Sequence, residues 1–136
     1  MALRRQKSLV LILAREFAEQ LATPIFLADA EGKLVFYNEP AERILGRTFA
    51  EAGELSAAEW EKTFHTESLD GKRLFLDDLP AGVAFLERRP AHGTFRLTGF
   101  DGVARTISVT GIPIVTAGDE LEGVVAIFWE HPDPGI

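Results

Sequence analysis

The sequence predicts an α+β domain: a five-stranded antiparallel sheet, short helices over one of its faces, and an N-terminal helix outside. Three observations carry that prediction. Strand-like runs sit at both ends of the chain, Ile25 to Ala28 and Leu34 to Tyr37 early, then Thr94 to Leu97, Ala104 to Ile114 and Leu121 to Glu130 late. Helix signals fill the interval between them. The run Val124-Val125-Ala126-Ile127-Phe128-Trp129 is apolar at consecutive positions, so both of its faces need cover. Strands from opposite ends of a chain, with helices between, close into one sheet only if the terminal strands meet.

The elements follow in order. Residues Ala2 to Leu21 hold no Gly or Pro and are mostly good helix formers, and Thr23-Pro24 stops them. Their apolar side chains fall all round the helix, which therefore needs cover on more than one side. A domain of this size supplies one covering surface, so a second subunit is the expected second cover, through Val10, Leu13, Phe17 and Leu21. A helix wedged into its own domain is the alternative. Next, Asp29-Ala30-Glu31-Gly32 turns the first hairpin. Asn38 then Glu39-Pro40 reads as an N-cap and first turn, and the helix through Ile44 and Leu45 stops at Gly46. Ser56-Ala57-Ala58-Glu59 is a capping box for a short helix bearing Trp60 and Phe64. Asp70-Gly71 turns, and Asp77 or Asp78 caps a helix from Pro80 to Arg88. Asp101-Gly102 and Gly118-Asp119 are the turns of the closing strands.

Length and charge bound the function. A chain of 136 residues is one domain, here residues 23–130, behind a helical segment 1–22 and ahead of a flexible Pro-rich tail 131–136. Without cysteine the chain has no disulfide, thiolate nucleophile, Cys-ligated metal or cysteinyl adduct. A net charge of −7 argues against nucleic acid or anionic lipid as partner. Arg4, Arg5 and Lys7 precede the apolar run Leu9 to Ala14, but that run is too short for a secretory signal or a span and no small-residue cleavage site follows it. The expected setting is cytoplasmic, with no membrane contact.

The order of elements, and three stretches in particular, resemble the PAS family of sensor domains. Pro24 to Ala41 resembles the opening hairpin, with its Asp-x-x-Gly turn and the Asn that begins the next helix. Pro80-Ala81-Gly82-Val83-Ala84-Phe85-Leu86 resembles the family's long helix, and Ser108 to Ile114 with Gly118 to Phe128 its closing hairpin. The likeness covers residues 24–130. One departure stands out: many members leave the last strand through an Asp-x-Thr signature, whereas Glu130-His131-Pro132 stands there in this chain. If the chain is complete, its signal passes through a non-covalent partner or the dimer.

The resemblance implies a signal-transduction role by homodimerisation and partner binding, with a small hydrophobic ligand between the inner sheet face and the middle helices. Phe26, Ile44, Trp60, Phe64, Phe85 and Val109 are the expected lining. The alternative is that those side chains fill the space, leaving a ligand-free dimerisation or docking adaptor. No cofactor is identifiable from the residues. Adduct-forming flavin lacks its cysteine, while a non-covalent flavin or small apolar ligand stays open. Haem would need His65, His92 or His131, none of them on the Pro80 to Arg88 helix, and three scattered His make no metal site. No serine lies in a nucleophile elbow and no glycine loop cradles phosphate. A small isomerase-like enzyme needs a buried acid or base, and only Tyr37, at a strand end, comes close. No enzymatic activity is expected.

Overall fold

The computed structural model describes residues 9–131. Helix α1 (Leu9–Ala18) precedes the hairpin β1 (Ile25–Asp29) and β2 (Leu34–Tyr37). Helices α2 (Glu39–Leu45), α3 (Phe49–Ala52) and α4 (Ala57–Thr63) lead to the short strand β3 (His65–Glu67). A 3₁₀ turn (Leu76–Asp78) runs into α5 (Pro80–Glu87), and β4 (Ala91–Thr98), β5 (Ala104–Val115) and β6 (Leu121–Glu130) close the fold. Among the described residues six strands form one antiparallel sheet in the order β2-β1-β6-β5-β4-β3. The first and last strands are central neighbours, with Ile25 opposite Ile127 and Asp29 opposite Gly123.

The sheet has six strands, where five were expected from sequence. The added strand, β3, is three residues long and polar, so it carries no alternation to recognise. It pairs Thr66 with Leu97 on β4. The N-terminal helix ends at Ala18 rather than Leu21, and its expected start at Ala2 lies outside the described residues. Gln20 and Leu21 donate to the carbonyls of Phe17 and Ala18 in a tightened last turn. Neither Asp77 nor Asp78 caps α5: Leu79 is its N-cap, and Asp78 instead accepts from the Phe75 amide, closing the 3₁₀ turn. Helix α5 stops one residue before the expected Arg88, which takes the left-handed conformation at φ 56°. Of the expected tail, only His131 is described.

Other local signals hold. Ser56 and Glu59 form the reciprocal capping box, and Gly46 ends α2 at φ 89°. Asn38 caps α2, and its buried carboxamide does more than that. Its Oδ1 accepts from the Ile25 and Ala41 amides, while Nδ2 donates to the carbonyls of Ala18 and Thr23. One side chain thereby joins the end of α1, the start of β1 and the start of α2.

Strand alternation divides the core into two layers. On the inner face Phe95, Leu97, Ile107, Val109, Ala126 and Phe128 pack with Leu45, Trp60, Phe64 and Leu79 from the helical side. On the outer face Ile25, Leu27 and Phe36 pack with Ala18 and Ala14 of α1. Strand β6 is therefore enclosed on its inner side, where Val124, Ala126 and Phe128 are at most 1% exposed. Its outer side is only partly covered: Val125 and Ile127 are half-buried against the α1 layer, and Trp129 is 41% exposed. Helix α1 lies over β1 and the start of β6, with Leu11 pressed so close to Gly123 that a Cβ there would meet its Cδ2 at 2.9 Å. The Trp129 end of β6 is beyond its reach.

Candidate functional site

The inner layer leaves a cavity of about 40 Å³ between the sheet and helices α4 and α5. Phe26, Trp60 and Val109 line it, together with Leu79, Phe95, Ile107 and Phe128. The remaining three expected lining residues lie elsewhere. Ile44 is buried in the core on α2, Phe64 packs edge-on against Phe100 at 4.9 Å, and Phe85 sits under the β1–β2 turn, 3.4 Å from where a Gly32 Cβ would stand. Strand alternation was the signal for the residues that the sequence reading missed, Phe95 opposite Ile107 and Phe128 beside Val109.

Aromatic rings occupy the volume in which a ligand would lie. Phe26 stands 6.0 Å from Phe128 and 6.5 Å from Trp60, and Trp60 stands 6.3 Å from Phe64. What is left has room for a few water-sized bodies, against the roughly 300–1,000 Å³ of sites that enclose cofactors. Thr66 is the polar residue on its wall, and its hydroxyl is already donated to the Leu74 carbonyl at 3.0 Å. A flavin ring system does not fit these walls. Haem fares no better, since none of the histidines faces the cavity. His65 lies between Glu67 and Arg73 on the exposed side of β3, His92 bonds Thr110, and His131 bonds Ser108. Among the described residues no group of three or more His, Cys, Asp or Glu is placed to hold a metal.

Two polar features bear on catalysis. Ser108 lies 2.6 Å from His131 Nε2 and 2.7 Å from Thr94 Oγ1, yet it sits in the middle of strand β5, and among the described residues no carboxylate bonds the imidazole. Tyr37 is fully buried and donates to the Arg47 carbonyl at 2.8 Å. Burial, with Glu42 nearby, pushes its phenol up to about 12. It is therefore a poor acid or base near neutrality. Since the fold holds Tyr37 neutral above the ordinary phenol range, its contribution is complete below pH 10 and is lost as pH rises toward 12. Tyr37→Phe is expected to cost ~1 kcal/mol at pH 8 through the unpaired Arg47 carbonyl. The same variant should flatten the decline in stability between pH 10 and 12, as urea melts of both proteins at pH 8 and 11 will read.

The outer side carries the larger features. Leu9, Ile12, Leu13 and Phe17 of α1 are 67, 42, 59 and 65% exposed and form a continuous apolar strip turned away from the sheet. Of the expected interface residues, Leu13 and Phe17 belong to this strip. Val10 is half-buried, and Leu21 turns inward onto the α1 layer. Beside α1 an open groove of about 820 Å³ runs over Leu27, Val35 and Phe36. Arg15 crosses it with its guanidinium 4.4 Å from the Phe36 ring. Asp29, Glu31, Glu54 and Glu122 make its rim acidic, and Lys33 is engaged by Glu54 at 3.3 Å. No described helix is long and apolar enough to cross a membrane.

A model of the PAS fold matches residues 13–129. No curated protein matches the chain. Among solved structures, the PAS domain of BvgS from Bordetella pertussis is 19% identical, covers 92% of this chain and 88% of its own, and superposes with a TM-score of 0.57. The PAS domain of the fruit-fly ELK potassium channel is 10% identical, with 90% and 97% covered and a TM-score of 0.67. The LOV protein of Rhodobacter sphaeroides is 16% identical, with 89% and 67% covered and a TM-score of 0.66. At these identities the likeness is one of fold.

Proposed function

We propose, since the chain belongs to the PAS family of sensory and signalling domains, that it works as a regulatory dimerisation module whose core is filled by its own side chains. The observation that carries this reading is the bare apolar strip of α1. Four large side chains in water on one short helix are costly unless a partner covers them, and each contributes roughly 1.5–3 kcal/mol when fully buried. A second copy of the chain supplies the cover, and a signalling protein partner reads the paired state. The setting is cytoplasmic, in keeping with a cysteine-free acidic domain.

The size of the inner cavity favours the adaptor form of this function over a sensor that encloses a cofactor. An apolar ligand of a few heavy atoms is the second reading, because about 40 Å³ of space with mostly apolar walls remains beside Trp60 and Phe95.

Native mass spectrometry tests both readings in one measurement. The purified chain is expected at twice its subunit mass with no added small molecule. Phe17→Asp is expected to be monomeric, with the dimer weakened by roughly a hundredfold, because a charge enters the contact while the fold at this exposed position is untouched. A monomeric parent chain, or a dimer indifferent to Phe17→Asp, overturns the interface. A reproducible mass increment turns the reading toward the sensor.

A further inference from the structure

The groove beside α1 combines an apolar floor with a rim of one charge. Leu27 and Phe36 lie beneath it, Val35 is half-buried along it, and Leu11 and Ile12 form the wall on the α1 side. Five carboxylates line the opening against two cations. Two of the five are committed to the fold. Asp29 Oδ1 accepts from the Glu31 and Lys33 amides at 2.9 Å and shapes the β1–β2 turn, and Glu54 holds Lys33 at 3.3 Å.

The other three, Glu16, Glu31 and Glu122, have no ion-pair partner among the described residues. They reach one opening from three separate elements: α1, the β1–β2 turn and the start of β6. Like charges gathered in this way repel and add nothing to the packing beneath them. Arg15 does not answer them, because it pairs with Glu19 at 3.7 Å and lies 4.4 Å from the Phe36 ring and 5.8 Å from Phe49. It does show what the floor accepts, a guanidinium laid on an aromatic face.

We infer that the groove receives a basic, amphipathic segment of a partner protein. Its Arg or Lys heads pair with Glu16, Glu31 and Glu122, and its apolar side chains lie along Val35 and Ile12. Nucleic acid and anionic lipid carry the wrong sign for this rim. Leu9, Leu13 and Phe17 are not among its lining residues, so the segment and a second copy occupy different sides of α1. The inference gives the chemistry of the signalling partner; it rests on that part of the proposed function and not on the dimer.

Fluorescence anisotropy of labelled peptides with the full chain is the test. A peptide of alternating Arg and Leu is expected to bind with a Kd of about 10 μM at low salt, weakening roughly tenfold between about 50 and 300 mM salt. Its Glu–Leu counterpart is expected not to bind. Glu31→Lys with Glu122→Lys should weaken the Arg–Leu peptide roughly tenfold or more. Asp77→Lys with Glu87→Lys changes the net charge equally away from the groove and should weaken it less than about twofold. Arg15→Ala removes a like charge and uncovers Phe36, so binding should tighten by about threefold. An equal loss in both charge-reversed pairs overturns the groove, because net charge alone then accounts for the binding. Equal binding of the two peptides, or none by the parent chain, overturns the basic partner. A change in sedimentation on reversing Glu31 and Glu122 assigns the groove to a second copy and overturns the inference as well. A parent chain that sediments as a monomer yet binds the Arg–Leu peptide at the groove sustains it, while the dimer falls.

Discussion

Asn38→Ala is expected to lower the unfolding free energy by roughly 3 kcal/mol, since each buried polar group left unpaired costs about 1–3 kcal/mol and a lost N-cap about 1. The carboxamide is 1% exposed, so water does not replace what alanine removes. The Ile25 amide loses its acceptor, the Thr23 carbonyl loses its donor, and α2 loses its cap. The Ala18 carbonyl fares better because Leu21 still donates to it. Asn38→Asp separates the two halves of the side chain. It keeps the acceptor for Ile25 and Ala41, but its second oxygen faces the Ala18 and Thr23 carbonyls, so it is expected to be at least as damaging. Urea melts give the stability, and hydrogen exchange of the α1 amides shows whether that helix loosens first. A loss under about 1 kcal/mol, with α1 protection unchanged, would mean that Asn38 does not join the three elements.

Gly82→Ala is the second large effect, and its sign opposes helix propensity. In an open helix the change would gain up to about 1 kcal/mol. Here a Cβ would stand 1.7 Å from the Leu76 carbonyl oxygen and 2.7 Å from its carbon. Those are backbone atoms of the 3₁₀ turn, so no side chain can swing aside. Helix α5 must back away from the turn, or the turn from β3 and α4, and the expected loss is about 3 kcal/mol or more, on the order of 10 °C in melting temperature. Gly118→Ala is the control: the nearest atom to its Cβ is Glu120 Cγ at 3.8 Å, an ordinary contact, and the melting temperature should barely move. A Gly82→Ala protein that melts within a few degrees of the parent would show that the turn and α5 slide freely past one another.

How far the sequence could be read depended on the range of the interaction. The caps at Asn38 and Ser56 and the Gly46 stop were legible because each is decided within a few residues. The long strands β5 and β6 were legible from their runs of branched and apolar residues. Strand β3 was not, because His65-Thr66-Glu67 becomes a strand only through pairing with β4, some thirty residues on. The cavity was half legible. Phe26, Trp60 and Val109 line it, but Ile44, Phe64 and Phe85 are equally apolar, and only the tertiary placement of α2, α4 and the β1–β2 turn sends them elsewhere. Apolarity marks a residue for burial without saying in which layer. The same limit applied to α1, whose apolar residues fall all round the helix. That Leu21 belongs with the inward side and Leu9 and Ile12 with the outward side depended on where the tightened last turn leads the chain.

The central position of β1 beside β6 has a consequence for how the chain reaches this state. Ile25 must find Ile127 across roughly a hundred residues of intervening chain, the costliest loop closure in the sheet. On a ribosome the β1–β2 hairpin therefore emerges early and waits for its central neighbour, while β4 and β5 pair locally as they appear. Completion comes only with the last strand, so a nascent chain lacking residues 121–130 holds a sheet split down its middle, with two unpaired edges open to the wrong partner.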